Sequence, residues 1–221
     1  MSRGTDPAAE DAVQQSCRAF FGKISASVSH ELNNVLAIIG QTAGLLEDLL
    51  DSCPGGEPIP RASLERICSQ ITEQVARGAG TVKRFHRFAH SVDDPRIQFE
   101  IKPTLENLHG LLQRQADLAG ATIEADVGNE PASLTGNPFL FQHAVFMAIQ
   151  LCLTAAGEHD TITVTADRQE ECIVVHVEGP GRDGAHTHVL EDLMRQVGGR
   201  METHVQDGRS RFHLAFPVEI A

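Results

Sequence analysis

The sequence predicts an α+β protein built in two parts. Residues 7–92 are expected to form an antiparallel helical hairpin that pairs with a second copy into a dimeric four-helix bundle, and residues 96–221 an α/β sandwich. Two observations carry this prediction. Helical periodicity of apolar residues runs with one short break up to about residue 91, and after Asp93-Asp94-Pro95 it gives way to short alternating strands with helices between them.

The first predicted helix begins at Asp6-Pro7, where a capping side chain precedes a proline at the first helical position. It runs to about Asp51, a length of roughly 65 Å at 1.5 Å per residue. A helix of this length is rarely stable alone and needs a packed partner. Its apolar residues form a heptad-like seam made of Phe21, Ile24, Val28, Val35, Ile38, Leu45 and Leu49.

A segment rich in proline and glycine, residues 52–60, ends this helix, and a second helix follows from about Arg61 to Ser91. Two long helices joined by a short loop form a hairpin in which each helix buries only one face. Pairing with a second copy supplies the missing core, which predicts a homodimer through residues 7–92. The apolar stripe of the second helix comprises Leu64, Ile67, Ile71, Val75, Val82, Phe85 and Phe88.

The second part alternates between strand and helix patterns. Helices are predicted at 103–118, ended by Gly120, from Asn137-Pro138 to about 156, and at 186–197. Strands are predicted at 97–101, 121–127, 161–166 and 172–177, with a last hairpin of 201–205 and 211–216 around Asp207-Gly208. Mixed strands with helices between them favour an α/β sandwich.

Composition narrows the classes of function. The net charge of −12 argues against nucleic acid and anionic membranes as partners. No uninterrupted apolar run of membrane-spanning length occurs and the first residues are polar, so neither a membrane span nor a signal peptide is expected. The five cysteines are scattered without a CxxC motif, which is typical of reduced thiols and predicts a cytoplasmic protein.

His30 is the candidate functional residue of the first helix. It lies off the apolar seam, on the flank that it shares with Lys23, Ala37 and Gly44. Imidazole is a competent nucleophile near neutral pH when a carboxylate can take its proton, and Glu31 follows His30 directly. This position favours chemistry in solvent over packing.

Residues 29–40, Ser-His-Glu-Leu-Asn-Asn-Val-Leu-Ala-Ile-Ile-Gly, resemble the H-box of the bacterial histidine kinase core, and the resemblance extends over about residues 15–218. In that family the histidine accepts a phosphoryl group, its acidic neighbour acts as general base, and the residue four positions on orients a water for dephosphorylation. The resemblance assigns these roles to His30, Glu31 and Asn34. Many members carry proline where this chain has Val35, and its loss removes a helix kink.

The second part resembles the family's ATP-binding domain in its order of elements but departs from it in the ligands. Leu151 lines up with the Mg²⁺-binding asparagine, and an apolar side chain cannot bind a hard cation. Val177-Glu178-Gly179-Pro180-Gly181 keeps the glycines of the adenine box but is one residue short, with Glu178 in place of aspartate. Only Arg182–Ala185 stand where the family has its lid. Glu178 and Asp183, with no cationic cluster evident opposite them, are expected to repel a triphosphate.

The resemblance therefore implies a degenerate ATPase-like domain and a histidine phosphotransferase of a two-component phosphorelay. His30 would carry phosphoryl groups between receiver-domain aspartates without ATP. No cofactor is expected to be bound by the chain itself, and Mg²⁺ is expected in the partner receiver. Response-regulator receiver domains are the expected partners, docking on the flank formed by Ala37, Gln41 and Gly44.

Two alternatives stay open at the level of sequence. The chain is a divergent sensor histidine kinase that still phosphorylates itself, or a non-catalytic pseudokinase that regulates or holds a kinase or response regulator. A separate constellation, His86 and His90, has the i, i+4 spacing of a metal chelate. Because no third ligand is in register with it, no metal site is predicted.

Overall fold

The computed structural model describes residues 7–53, 58–128, 132–169, 171–181 and 187–219. Helix α1 spans Pro7–Asp51 and helix α2 spans Arg61–His90. They run antiparallel, because Phe20 near the start of α1 contacts Phe88 near the end of α2. The predicted hairpin is therefore confirmed, although Asp6, its predicted cap, lies outside the described residues.

Strands and further helices follow the hairpin. The helices are α3 (Ile101–Ala119), α4 (Pro138–Ala155) and α5 (His188–Gln196). The strands are β1 (Ile97–Glu100), β2 (Thr122–Asp126), β3 (Ser133–Gly136), β4 (Thr161–Gln169), β5 (Cys172–Pro180), β6 (Arg200–Gln206) and β7 (Arg209–Pro217). The larger sheet is mixed, with strand order β2-β4-β5-β7-β6, β2 parallel to β4 and all other pairs antiparallel. A separate two-stranded sheet pairs β1 with β3.

Three predicted boundaries rest on local chemistry that the structure shows. The Asn137 side chain accepts hydrogen bonds from the backbone N–H groups of Phe139 and Leu140, which caps α4. Gly120 adopts a left-handed φ of 69° and ends α3. Asp207 and Gly208 have φ of 53° and 74°, the paired positive values of a type I′ turn between β6 and β7.

The start of α3 and the presence of β3 differ from the prediction, and β4 and β5 each end three residues later than predicted. Helix α3 begins at Ile101, two residues before the predicted start, so Pro103 occupies its first turn, where a proline is tolerated. Strand β3 was not predicted, because its sequence Ser-Leu-Thr-Gly offers one apolar side chain and no alternation to detect. It forms because it pairs with β1, a contact that no local pattern encodes.

The two parts share one hydrophobic core. Val13, Phe20 and Ile24 on α1 belong to the same buried cluster as the inner face of the sheet. Among the described residues, α4 is the one helix long and apolar enough by composition to cross a membrane. Most of it is buried inside the protein, as expected of a core helix.

Candidate functional site

His30 lies on the exposed flank of α1, as the sequence predicts. The opposite side of the helix is held by Val28 and Val35, which are both buried. Val35 lies against Gly78 of α2, since a Cβ at Gly78 would lie 3.2 Å from a methyl carbon of Val35. The imidazole is therefore presented to solvent by a helix that is anchored on its other face.

Glu31 has a partner that the sequence does not reveal. Its Oε1 atom accepts a hydrogen bond from Nε of Arg77 on α2, at 3.3 Å. The Glu31 side chain is 18% exposed and that of Arg77 is 54% exposed. The pair connects the carboxylate to α2 and leaves about half of the Arg77 side chain exposed, next to the residue that follows His30 in the chain. A guanidinium suits the oxygens of a phosphoryl group.

Asn34 is exposed one helical turn beyond His30, so the two side chains share a face. The flank beyond it, with Ala37, Gln41 and Gly44, carries small or neutral side chains. A Cβ at Gly44 would meet no atom within 4 Å. His30, Asn34, Ala37 and Gln41 are thus exposed along one flank of α1, whereas the Glu31 side chain is mostly buried beside Arg77. The chemical roles of His30, Glu31 and Asn34 remain predictions.

No family model matches the chain. Among curated proteins it is similar to the C4-dicarboxylate transport sensor protein DctB of Rhizobium meliloti (strain 1021), with 22% identity over 203 residues, covering 90% of this chain and 31% of that protein. It is also similar to DctB of Pseudomonas aeruginosa PAO1, with 24% identity over 236 residues, 94% of this chain and 38% of that protein. The chain spans about a third of the length of these relatives.

Solved structures agree on the architecture. The catalytic domain of histidine kinase ThkA superposes with a TM-score of 0.51 and 13% identity, covering 58% of this chain and 100% of that one. ThkA in complex with response regulator protein TrrA superposes with a TM-score of 0.50 and 13% identity over 98% of this chain and 68% of that one. The chain has a histidine-kinase-like fold.

Three described positions that the resemblance links to the nucleotide, Leu151, Gly179 and Gly181, lie close to other protein atoms. Leu151 is partly buried against the core. A Cβ at Gly179 would lie 2.9 Å from both Cβ of Cys152 and Cγ1 of Ile162, and one at Gly181 would overlap the Ser210 side chain. Gly179 permits close packing of β5 against Cys152 of α4 and Ile162 of β4, and Gly181 lies against Ser210 of β7.

The environment of Glu178 differs from the prediction. Its carboxylate accepts hydrogen bonds from Nε of Arg209 and Nε of Arg211, each at 3.0 Å. The expectation that no cation faces Glu178 was therefore wrong, because strand register brings β7 beside β5. Partial burial alone would raise the pKa of Glu178, but the hydrogen bonds from Arg211 and Arg209 outweigh it and hold the pKa below its usual value.

Glu178 also lies on the outer face of the sheet, whereas buried Val175 and Val177 mark the inner face. The inward position next along the strand is Gly179, so the Glu178 carboxylate lies on the face of the sheet away from the core. The predicted short replacement of the lid, Arg182–Ala185, lies outside the described residues, as does Asp183 within it.

The joint between hairpin and sandwich was missed by the sequence analysis. Phe20 is 1% exposed and packs on Phe88, Phe139 and Phe146, with ring centroids 4.5 to 5.9 Å apart across this group. The seam prediction selected the neighbouring Phe21, which is half-buried. Successive helical residues point about 100° apart, so Phe20 faces the sandwich while Phe21 stacks on Phe88 of α2.

A buried histidine completes this joint. His143 of α4 is fully buried and stacks on Phe20 at 5.0 Å. Its Nε2 lies 3.0 Å from the Ser16 hydroxyl and its Nδ1 lies 3.4 Å from the Cys17 sulfur, so both ring nitrogens have partners on α1. Burial lowers the pKa of His143 to about 4. The near-continuous apolar character of this helix was the signal that its one histidine is buried.

The sandwich reaches close to the His30 flank. Lys23 Nζ donates to Gln150 Oε1 at 3.5 Å, and Gln150 in turn donates to Gln115 at 2.7 Å. Lys23 precedes His30 by two turns on the same flank, about 10 Å along the axis. This contact therefore links the sandwich to α1 about two helical turns before His30.

Proposed function

We propose that the chain is a dimeric histidine phosphotransferase of a two-component phosphorelay. A phosphoryl group passes from a receiver-domain aspartate to His30, and from His30 to the aspartate of another receiver, with no ATP used by the chain. One observation carries the proposal: a solvent-facing histidine stands next to a carboxylate that is paired with Arg77, in a kinase-like fold where Leu151 and Gly179, two positions expected to serve the nucleotide, lie against protein atoms.

The transfer balances without a further reactant. An unprotonated ring nitrogen of His30 attacks phosphorus, the P–O bond to the aspartyl carboxylate breaks, and an N–P bond forms. Glu31 takes the proton from the other ring nitrogen, directly or through one water. Mg²⁺ held by the receiver and the Arg77 guanidinium offset the charge of the phosphoryl oxygens, which is the main catalytic demand of this reaction. The reverse sequence regenerates His30.

The receiver would dock along the flank that runs from His30 past Ala37 and Gln41 to Gly44. The open space around Gly40 and Gly44 lets a partner helix approach closely. The solved complex of ThkA with TrrA is a kinase–regulator pair of the same fold and motivates this choice of partner. Net charge makes nucleic acid and membrane surfaces poor partners, and we place the protein in the cytoplasm.

A homodimer is part of the proposal. Of the apolar seam predicted for the first helix, Ile24, Val28 and Val35 are buried within the single chain. Ile38 and Leu45 of the same seam are exposed. Two pairs of exposed apolar residues are spaced by seven, Ile38 with Leu45 on α1 and Val75 with Val82 on α2, and a second hairpin would cover them.

The strongest rival is a divergent sensor kinase, because both curated relatives are sensor proteins. Calorimetry with ATP and Mg²⁺ separates the two functions. Micromolar binding would favour the kinase, and the packing of Gly179 against Cys152 leads us to expect none. A scaffold role would instead show partner capture and signalling output that survive His30→Ala unchanged.

Phosphotransfer profiling tests the proposal directly. The purified chain is mixed with a panel of phosphorylated receivers from the same organism, and label on the chain is followed. We expect His30→Ala to abolish labelling, whereas His188→Ala, which removes an exposed histidine of α5, keeps it. Failure of every receiver to label His30 would contradict the proposal.

A further inference from the structure

Two histidines at the end of α2 face one another. Nε2 of His86 lies 3.1 Å from Nε2 of His90, one turn further along the helix. On the opposite side of the His90 ring, Nδ1 lies 2.5 Å from Oδ2 of Asp93. Each ring is exposed, and the phosphotransfer chemistry proposed above makes no use of either.

The Asp93 contact decides which nitrogen of His90 is free. The Asp93 carboxylate accepts a hydrogen bond from Nδ1–H of a neutral His90, and this tautomer leaves the Nε2 lone pair of His90 directed at His86. The same carboxylate–histidine arrangement orients imidazole ligands in metal centres. Two nitrogens bound at about 2.0–2.1 Å to one ion, with an angle of 90–110° between them, stand about 2.9–3.4 Å apart. The observed separation of 3.1 Å falls within that interval.

We propose that His86 and His90 form a two-histidine chelate for a divalent first-row transition-metal ion of the Zn²⁺ type. Imidazole nitrogen is a preferred ligand of zinc, nickel and copper ions. When the ion binds, the proton on His86 moves to Nδ1, so that both Nε2 lone pairs point at the metal. Asp93 acts as a positioning residue through His90.

The ion would keep open coordination positions. In the part of the chain that the structure describes, no group of three His, Cys, Asp or Glu side chains is arranged to hold a metal. The two histidines line an open groove of about 640 Å³ where the end of α2 meets the first turns of α3 and α4. Water can enter this groove and complete the coordination shell.

The position of the chelate gives it a structural consequence. His90 is the last residue of α2, and the chain then crosses to β1, which begins at Ile97. An ion held by His86 and His90 ties the last turn of the helix together at the joint between hairpin and sandwich. Ion binding should therefore raise the melting temperature of the whole chain.

Titration of the tag-free, chelator-treated chain with ZnCl₂ and NiCl₂ tests the proposal. We expect one ion per chain by calorimetry, and loss of this binding in both His86→Ala and His90→Ala. Asp93→Asn should weaken affinity about 10- to 100-fold while both ligands remain, because it removes the group that orients His90. Circular dichroism confirms that each variant is folded.

Two controls separate this site from others. His204→Ala removes an exposed histidine from the outer sheet face and should leave affinity unchanged, as should His30→Ala, which makes the result independent of phosphotransfer. Stoichiometric binding that survives both His86→Ala and His90→Ala would overturn the proposal. The absence of metal binding by the unaltered chain at millimolar metal would also overturn the proposal. The contact between His86 and His90 would then be only a hydrogen bond between two imidazole rings.

Discussion

Arg77 is the residue that most changes the account of the His30 site. The motif around His30 is local and can be recognised from sequence, whereas Arg77 lies 46 positions from Glu31 and is brought to it only by the pairing of α1 with α2. No periodicity specifies which charged residue of α2 faces Glu31. The catalytic candidates were therefore predictable, and the group that orients one of them was not.

Removing the Arg77 guanidinium should slow phosphotransfer more than it weakens the fold. We expect Arg77→Ala to lower the rate of transfer to His30 about 3- to 10-fold, or roughly 1 kcal/mol in the barrier. The free energy of unfolding should change by less than about 1 kcal/mol, as for other exposed ion pairs. Rapid-quench transfer assays and urea unfolding measure the two effects. Arg66→Ala, on an exposed arginine of the same helix, is the control, and equal transfer rates in the two variants would contradict the assigned role.

His143 makes the stability of the protein depend on pH. Its pKa is lowered to about 4 in the folded chain, so the unfolded chain, with a pKa near 6.5, binds the proton more readily. The free energy of unfolding therefore has its full value above about pH 6.5. It decreases as the pH falls toward 4, because protonation of this histidine favours the unfolded chain. For this group alone we expect about 2 kcal/mol less stability at pH 5 than at pH 7.5. Urea unfolding at both pH values measures this difference in stability. The difference should disappear in His143→Gln, and a difference of unchanged size in that variant would contradict the explanation.

At the scale of elements, β5 and α4 pack too closely for a side chain at Gly179. A Cβ there would lie 2.9 Å from atoms of Cys152 and Ile162, neither of which is the far end of a flexible chain. We expect Gly179→Ala to cost roughly 1–3 kcal/mol in urea unfolding. Gly22→Ala is the matched control, since open space surrounds Gly22 on α1 and alanine favours the helix by about 0.5–1 kcal/mol. A stabilising Gly179→Ala would show that this region has room to spare.

The elements differ in how far sequence alone could specify them. The long helices can be predicted from the helical period of their apolar residues and from capping residues such as Asn137. Strands β4 and β5 can be predicted from alternating apolar and polar residues. Strand β3 depends on a partner 35 residues away and escaped detection. The arginines beside Glu178 could not be predicted for the same reason. Their position is set by the register of β7 against β5.

On the scale of the whole molecule, the hairpin and the sandwich are one folding unit with a common core. Phe20 is the side chain on which this union depends most, since it contacts aromatic rings from both parts. We expect Phe20→Ala to destabilise the chain by about 3–5 kcal/mol, the usual cost of deleting a buried phenylalanine. Phe21→Ala should cost less, because Phe21 is half-buried. Chemical unfolding compares the two, and equal losses would contradict the joint described.

This shared core suggests how the molecule suits a relay. A hairpin fixed to its neighbouring sandwich presents His30, the small-residue flank and the Lys23–Gln150 edge as one surface. The hairpin and His30 are predictable from local sequence, whereas the attachment of the sandwich depends on contacts such as Phe20 with His143 and Lys23 with Gln150, whose partners lie more than 120 residues apart in the chain.

The central claim is that phosphate reaches His30 from a receiver and not from ATP. The most direct measurement incubates the chain with a phosphorylated receiver and Mg²⁺, with no nucleotide present, and follows label on the chain by mass spectrometry. The account predicts phosphohistidine at His30, returned to a second, unphosphorylated receiver when that is added. Labelling that requires ATP, or that occurs on the chain at a residue other than His30, would contradict it.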